Sequence, residues 1–342
     1  MSKIVTFGEI MLRLAPEGYN RFVQADKYGA TYGGGEANVA VSLANFGEDV
    51  SFVTKLPDNE IGQAGINYLR RFGINTEYIT RGGNRTGIYF LEKGASQRPS
   101  KVIYDRAGSA ISEASENDFD WDKIFQGAEL FHITGITPAI SDNAAKICIE
   151  ACKIAKSKGI TVSCDLNYRK KLWTKEKANK VMSELCKYVD ICISNEEDAF
   201  NVFGIKSDST DVNSGKLNKQ GYVEVCKKLS ERFGFKNVAI TLRTSISASV
   251  NNWAGMIYDS KTGKSYFSKE YNIVIVDRVG GGDSFCAGLI YSLLKKYDLQ
   301  HAVEFATAAG CLKHSIEGDF NLVSASEVEN LVKGDSTGRV QR

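Results

Sequence analysis

Residues 277–288 read Asp277-Arg278-Val279-Gly280-Gly281-Gly282-Asp283-Ser284-Phe285-Cys286-Ala287-Gly288. The apolar run Ile273–Val276 before them predicts a strand, and the pattern from Asp283 to Tyr297 predicts a helix. Three consecutive glycines at a helix start leave backbone N–H groups bare and directed at one spot. With the positive end of the helix they make an anion site. A phosphoryl group in transfer spreads negative charge over its oxygens, and such a site stabilises it. Asp283 stands beside these donors. The helix terminus favours its ionised form, and the carboxylate is placed to accept the proton of an attacking hydroxyl. Aspartate is also a common helix cap, so a lone G-G-G-D reads equally well either way.

Two features further up the chain tip the balance. The first is Gly33-Gly34-Gly35-Glu36-Ala37-Asn38-Val39-Ala40. Its glycines let the backbone approach a polar ligand, and Asn38 offers both a donor and an acceptor. Gly34, Gly35 and Asn38 are therefore substrate-binding candidates. A dinucleotide loop is a poor match, because position 38 is Asn where that loop needs Gly, and the cluster does not directly follow the first strand. The second feature is a pair of strand-like runs, Thr86–Leu91 and Val102–Tyr104, that interrupt the alternation of strands and helices. With residues 11–32 they predict a small separate sheet, a flap over the main body.

The rest alternates. Strands are expected at Ile4–Phe7, at Val50–Lys55 and near 130–134, 160–165, 190–194, 237–242 and 255–259. Helices are expected at Glu36–Phe46 and Ile61–Phe72, then near 142–157, 175–187, 196–203, 222–233, 300–315 and 325–333. Such alternation implies parallel pairing with right-handed crossovers. Ser207–Gln220 reads as a polar surface insertion, and Gly334–Arg342 as a disordered tail.

With both glycine motifs in this order, the chain resembles the ribokinase-like, or PfkB, carbohydrate kinases over about residues 3–333. The resemblance implies an α/β three-layer ribokinase-like fold. Its mainly parallel central sheet would carry helices on both faces, and a small β-sheet lid would come from segments 11–32 and 86–107 of a single domain, 1–333. It implies ATP and Mg2+. Gly280, Gly281 and Gly282 would form the anion hole, Gly280 and Gly282 would also touch the nucleotide, and Asp283 would be the catalytic base.

Within that family the chain most resembles the 2-keto-3-deoxygluconate kinases, through Thr86–Tyr89, Tyr104–Ala110, Gly135–Ala139 and Asp165–Trp173. By that resemblance Gly34, Tyr89, Tyr104, Arg106, Ile136, Arg169, Asp283 and Asp319 line a sugar-acid site. The chemistry agrees. A ketodeoxy sugar acid carries a carboxylate, which a guanidinium binds as a fork. Tyr89 and Tyr104 suit the carbon chain and its oxygens. For an arbitrary arginine a surface salt bridge is the plainer reading, but for Arg169, and slightly less for Arg106, ligand contact is favoured. Arg169 lies at the end of a predicted parallel strand, where ligands gather. Glu9 reads either as a partner of a sugar hydroxyl or as a solvated loop charge. A neutral-sugar kinase of the same family, and a sugar-binding relative without turnover, are the alternatives.

The sequence departs from the family pattern at three places. After the strand near residue 240 the family carries a lysine and two glycines. Here Thr241–Ser249 has no glycine, which leaves Thr241, Ser245 and Arg243 to bind phosphate. Arg278 replaces a usual threonine or proline, and either sits near phosphate or pairs with Asp277. The segment Asn195-Glu196-Glu197-Asp198 ends in aspartate where the family has glutamate. Asn195 and Asp198 read equally as nucleotide and water-mediated magnesium contacts or as a helix cap with acids in the first turn.

Composition narrows the field. The 342 residues carry 43 basic and 41 acidic side chains, so no broad field favours nucleic acid or an anionic membrane. No apolar run approaches the roughly 20 residues of a membrane span, and Met1-Ser2-Lys3 runs into a strand without a signal peptide. Eight cysteines with no C-x-x-C pair fit reduced, buried thiols in a cytoplasmic protein. His132, His301 and His314 are scattered, which favours structural roles. The lid's outer face needs a cover for its apolar side chains, so a homo-oligomer built through the lids is expected.

Overall fold

The structure, a computed structural model, describes residues 2–195, 197–207 and 219–335. The strands are β1 (Lys3–Phe7), β2 (Met11–Pro16), β3 (Tyr28–Gly33), β4 (Asp49–Leu56), β5 (Ile79–Arg81), β6 (Ile88–Glu92), β7 (Lys101–Asp105), β8 (Leu130–Thr134), β9 (Thr161–Asp165), β10 (Ile191–Asn195), β11 (Asn237–Ser245), β12 (Val250–Asp259), β13 (Lys264–Phe267) and β14 (Tyr271–Val274). The helices are α1 (Gly35–Asn45), α2 (Glu60–Arg70), α3 (Trp121–Ile124), α4 (Thr137–Ile140), α5 (Asp142–Ser157), α6 (Lys175–Leu185), α7 (Asp198–Phe203), α8 (Lys219–Phe233), α9 (Gly281–Leu294), α10 (Leu299–Lys313) and α11 (Ala325–Val332).

One sheet runs β13-β12-β11-β10-β9-β8-β1-β4-β5, with β14 also paired to β12. Strand residues alternate between its two faces, as a period of two requires. Ile4, Phe52, Ile191 and Ile257 pack with α1, α2, α9, α10 and α11, whereas Val5, Val53, Cys192 and Met256 pack with α3, α5, α6, α7 and α8. The result is a sheet between two helical layers, each with its own apolar core. From β5 to β11 the neighbours are parallel. Parallel pairing stops at β12, which runs antiparallel to β11, β13 and β14. The sequence rule fails there for a physical reason. Only residues 246–249 join β11 to β12, and a connection that short closes only an antiparallel hairpin.

The second sheet, β3-β2-β6-β7, is the expected lid. Its inner face presents Met11, Tyr89 and Leu91, which pack with Val279. Its outer face carries Leu14, Phe90 and Ile103 in register across three strands. The β6–β7 loop is fastened to the β11–β12 turn: Ala248 N–H donates to Ser96 O at 2.7 Å, and Ser96 N–H donates to Ser249 Oγ at 2.9 Å.

Element boundaries differ from expectation in a few places. β11 and β12 are longer than their apolar centres because hairpin pairing carries them outward, and β14 starts two residues before the predicted strand. β5 and β13 are three- and four-residue strands without a clear sequence pattern. Ser207, expected at the start of a surface insertion, is buried and donates to Glu224 Oε2 at 2.7 Å, while Lys219 and Gln220 open α8. The remainder of that insertion, 208–218, and the tail 336–342 lie outside the described residues. The eight cysteines are free, all buried except the half-buried Cys311. No described helix is long and apolar enough to cross a membrane.

Candidate active site

The carboxyl ends of β1, β8, β9, β10 and β11 deliver Glu9, Ile136, Arg169, Asn195 and Arg243 to one edge of the sheet, where ligands bind in open α/β folds. The lid lies over the same edge. Into it points the first turn of α9.

Gly280 precedes α9 with φ +85°, a left-handed conformation suited to glycine, and no side chain caps the helix. The first helical bond runs from Ser284 N–H to Gly280 O at 2.9 Å. The three glycines have different physical reasons. A Cβ on Gly280 would lie 2.0 Å from the Asp319 carbonyl oxygen, and one on Gly281 would lie 2.3 Å from the His314 ring. A Cβ on Gly282 would meet nothing within 4 Å. Two glycines are thus demanded by packing, and the third borders open space. His314 is fixed by a 2.6 Å contact between Nδ1 and Gly310 O, and burial lowers its pKa to about 4, so the ring under the turn is neutral.

Asp283, part-exposed in the first turn of α9, accepts a 2.6 Å hydrogen bond from Asn38 Nδ2. Asn38 is locked in turn: its Oδ1 accepts from Gly34 N–H at 3.2 Å, and its own N–H donates to Gly34 O at 2.7 Å. The two glycine motifs, distant in sequence, therefore meet at one carboxylate. Gly35 lies over it, since a Cβ there would be 3.9 Å from Asp283 Oδ1 and 3.8 Å from Ile136 Cδ1. The helix terminus alone predicts an ionised Asp283. In the folded protein removal of water raises its pKa to about 7, against the Asn38 hydrogen bond and the Arg169 charge, with Asp319 and Glu36 adding to the rise. Desolvation outweighs the helix dipole here.

Arg169 is exposed after β9, and its charge opposes the rise in pKa that desolvation causes at Asp165, Asp198 and Asp283. Among the described residues it has no carboxylate within ion-pair distance. Asn167 makes this turn with φ +36° and donates to Asp165 Oδ2 at 3.3 Å. Asp165 is buried and held well above the usual carboxylate range, first by desolvation and then by Asp198 and Asp283.

Asn195 Oδ1 accepts from the N–H groups of Glu197 (2.8 Å) and Asp198 (3.0 Å), so its side chain serves the start of α7. Asp198 accepts from Tyr168 N–H at 3.1 Å through Oδ1. Its Oδ2 is buried without a partner, and burial raises its pKa to about 6. That orphaned oxygen fits a hard cation. Among the described residues no group of three or more His, Cys, Asp or Glu side chains could hold a metal, so the fit is to an ion carried on phosphates and water.

On the lid side Arg106 faces Glu9 at 3.4 Å and stacks 4.4 Å over the Tyr104 ring. Glu9 is no solvated loop charge. It is buried and accepts from Ser109 Oγ at 3.0 Å. Arg106 Nε and Nη1 remain without hydrogen-bond partners. Tyr104 is 43% exposed, with its ring centroid 5.9 Å from that of Tyr89. Tyr89 and Asp319 lie deeper. The Tyr89 hydroxyl donates to Asp319, 2.6 Å from both oxygens, and Asp319 Oδ1 also accepts from Arg13 Nη1 at 2.6 Å. Arg13 Nη2 donates to Asp277 Oδ2. Asp277 therefore pairs with Arg13 of the lid and not with Arg278. Of the residues expected to meet the nucleotide, Thr241 is half-buried, and Arg243 and Ser245 are exposed on β11.

Three structural participants were not singled out in the sequence. Glu36 is buried inside the first motif, and its Oε1 accepts from Thr134 N–H, Thr134 Oγ1 and Thr137 Oγ1 at 2.7–2.9 Å. This ties α1 to the end of β8. Asp165 lay within a quoted motif without a role. Arg13 had no local signal, because its partners come from the other end of the chain.

This fold, with paired glycine motifs converging on one aspartate under a β lid, is that of a sugar kinase. Residues 1–322 match the pfkB family carbohydrate kinases, and the chain belongs to that family. The crystal structure of 2-dehydro-3-deoxygluconokinase from Thermotoga maritima superposes with a TM-score of 0.93 at 54% identity, covering 97% of this chain and 98% of that one. The 2-dehydro-3-deoxygalactonokinase of Haloferax volcanii is 29% identical over 98% of both chains. The 2-dehydro-3-deoxygluconokinase of Thermoproteus tenax is 28% identical over 97% of this chain and 95% of its own.

Proposed function

We propose that this protein transfers the γ-phosphoryl group of ATP to the primary hydroxyl of 2-dehydro-3-deoxygluconate, giving the 6-phosphate and ADP. The observation that carries the proposal is the Asn38-held Asp283, with a pKa of about 7, beside the uncapped start of α9. A base with that pKa is half ionised at neutral pH, which suits it to accept the hydroxyl proton as the new O–P bond forms and the bond to ADP breaks. The free N–H groups of the Gly280–Gly282 turn stabilise charge on the moving phosphoryl oxygens.

Arg169 and Arg106 recognise the carboxylate of the acid, with Gly34, Gly35, Tyr104 and Ile136 bordering its chain. Tyr89 and Asp319 hold the lid side of the pocket. Asn195, Thr241, Arg243 and Ser245 serve the nucleotide. Asp198 would hold magnesium through water, and that ion would supply charge neutralisation on the phosphates. Lid closure keeps out water, the competing acceptor. A second copy of the chain covers the lid's outer face, where Ile103 is 45% exposed. Sedimentation of a Phe90→Glu variant should then show a smaller assembly.

A coupled ADP-release assay over a panel of sugars tests the reading. The ketodeoxy acid should give the highest kcat/KM. A clear preference for fructose or ribose would overturn the choice of substrate.

A further inference from the structure

The turn that carries the three glycines also carries Arg278, which has no acidic partner in ion-pair range among the described residues. Asp277 beside it is occupied: Oδ2 accepts from Arg13 Nη2 and from Gly318 N–H at 3.1 Å, and Oδ1 accepts from Val279 N–H at 3.1 Å. Arg278 instead donates Nη2 to the Ala248 carbonyl in the β11–β12 turn at 3.2 Å, and its Nε is buried without a partner. Arg243 stands exposed on β11, the strand that enters the same turn.

Among the described residues neither arginine has a carboxylate within ion-pair distance. Burial, and then the Arg243 charge, hold the Arg278 pKa below its ordinary value, with Asp277 opposing. Both guanidinium groups also act on His314, whose ring fills the space at Gly281. Arg278 lies two residues before Gly280 at the open start of α9, and its bond to Ala248 reaches the turn that the strand of Arg243 enters. Two like charges held together, one of them half-buried, form an unfavourable arrangement that an anion relieves.

We propose that Arg278, with Arg243, grips the terminal phosphates of the nucleotide, and that this guanidinium pair replaces the glycine-rich phosphate loop missing after β11. The proposal rests on the kinase reading above. A guanidinium fork matches phosphate oxygens in a way that an ammonium or a hydroxyl does not.

Calorimetry of ADP and of adenosine, without sugar, tests it on the full chain. Arg278→Gln should weaken ADP about tenfold or more, the scale of one lost charge-assisted bond, and leave adenosine unchanged. Arg278→Lys should recover part of the loss. In turnover the Gln variant should raise KM for ATP and leave KM for the sugar unchanged. If ADP and adenosine weaken by the same factor, Arg278 only ties the turn to the hairpin, and the proposal fails. It fails equally if neither ligand changes. The ADP measurement stands whichever sugar the wild-type protein accepts, whereas absence of transfer to every sugar would overturn the kinase reading alone.

Discussion

Asn38 donates to Asp283 at 2.6 Å across 245 positions of sequence, and this contact sets both where the carboxylate points and how readily it ionises. The hydrogen bond favours the charged form against desolvation. Removing it in Asn38→Ala should move the acid limb of the kcat/KM profile upward from about pH 7, lower activity at neutral pH about tenfold, and let activity recover in alkaline buffer. A limb that stays in place would show that Asn38 does not tune the base.

Asp283→Asn should cut kcat by roughly 10²–10⁴-fold with little change in either KM, the range expected for a lost general base. The same substitution should stabilise the fold. The Asp283 pKa rises from 3.8 to about 7 on folding, so between those values the native state binds more protons than the unfolded chain. Stability then falls as pH rises through that window. Above pH 7 the Asn variant should be more stable than the parent by roughly 1–2 kcal/mol, after allowance for the solvent that reaches this part-exposed group. Equal melting temperatures at pH 8 would contradict the desolvation account.

The glycines of the turn should separate by phenotype. Gly282 borders open space, so Gly282→Ala should fold with a melting temperature near the parent and lose activity through crowding of the phosphate site. Gly280 combines φ +85° with a Cβ position 2.0 Å from Asp319 O. Gly280→Ala should be poorly folded, as judged by expression and near-ultraviolet dichroism.

Arg169 is exposed, with no carboxylate in ion-pair range among the described residues. Arg169→Ala should leave stability within about 0.5 kcal/mol and raise KM for the sugar acid about tenfold or more, with a much smaller effect on a neutral sugar. Equal losses on both substrates would remove Arg169 from carboxylate recognition.

Arg13 is 2% exposed between two carboxylates that are equally deep, Asp277 at 1% and Asp319 at 3%. Arg13→Met leaves Asp277 and Asp319 facing each other without their guanidinium, and denaturant unfolding should show a loss of about 3–5 kcal/mol.

Much of this was legible from local pattern. The alternation of apolar runs placed α5 at Asp142–Ser157 and located the lid strands β6 and β7, with 11–32 assigned to the lid only as a segment, because period and turn residues are local properties. The convergence of Asn38 and Asp283 was legible only through the co-occurrence of two motifs. What escaped was set by distance in sequence or by the surroundings. Arg13 meets Asp319 306 positions away, and nothing beside it in the chain marks a buried cation. Asp283 sits at a helix start that favours ionisation, yet its pKa depends on how much water the folded walls remove. The antiparallel edge from β12 to β14 escaped for a plainer reason, since its connections contain no helix.

The hydrogen bonds that the Ser96 backbone makes with Ala248 N–H and Ser249 Oγ couple the two halves of the cleft mechanically. Any outward swing of the small sheet must either rupture those bonds or drag the hairpin bearing Arg243 along with it. The roof is thereby stitched to one wall.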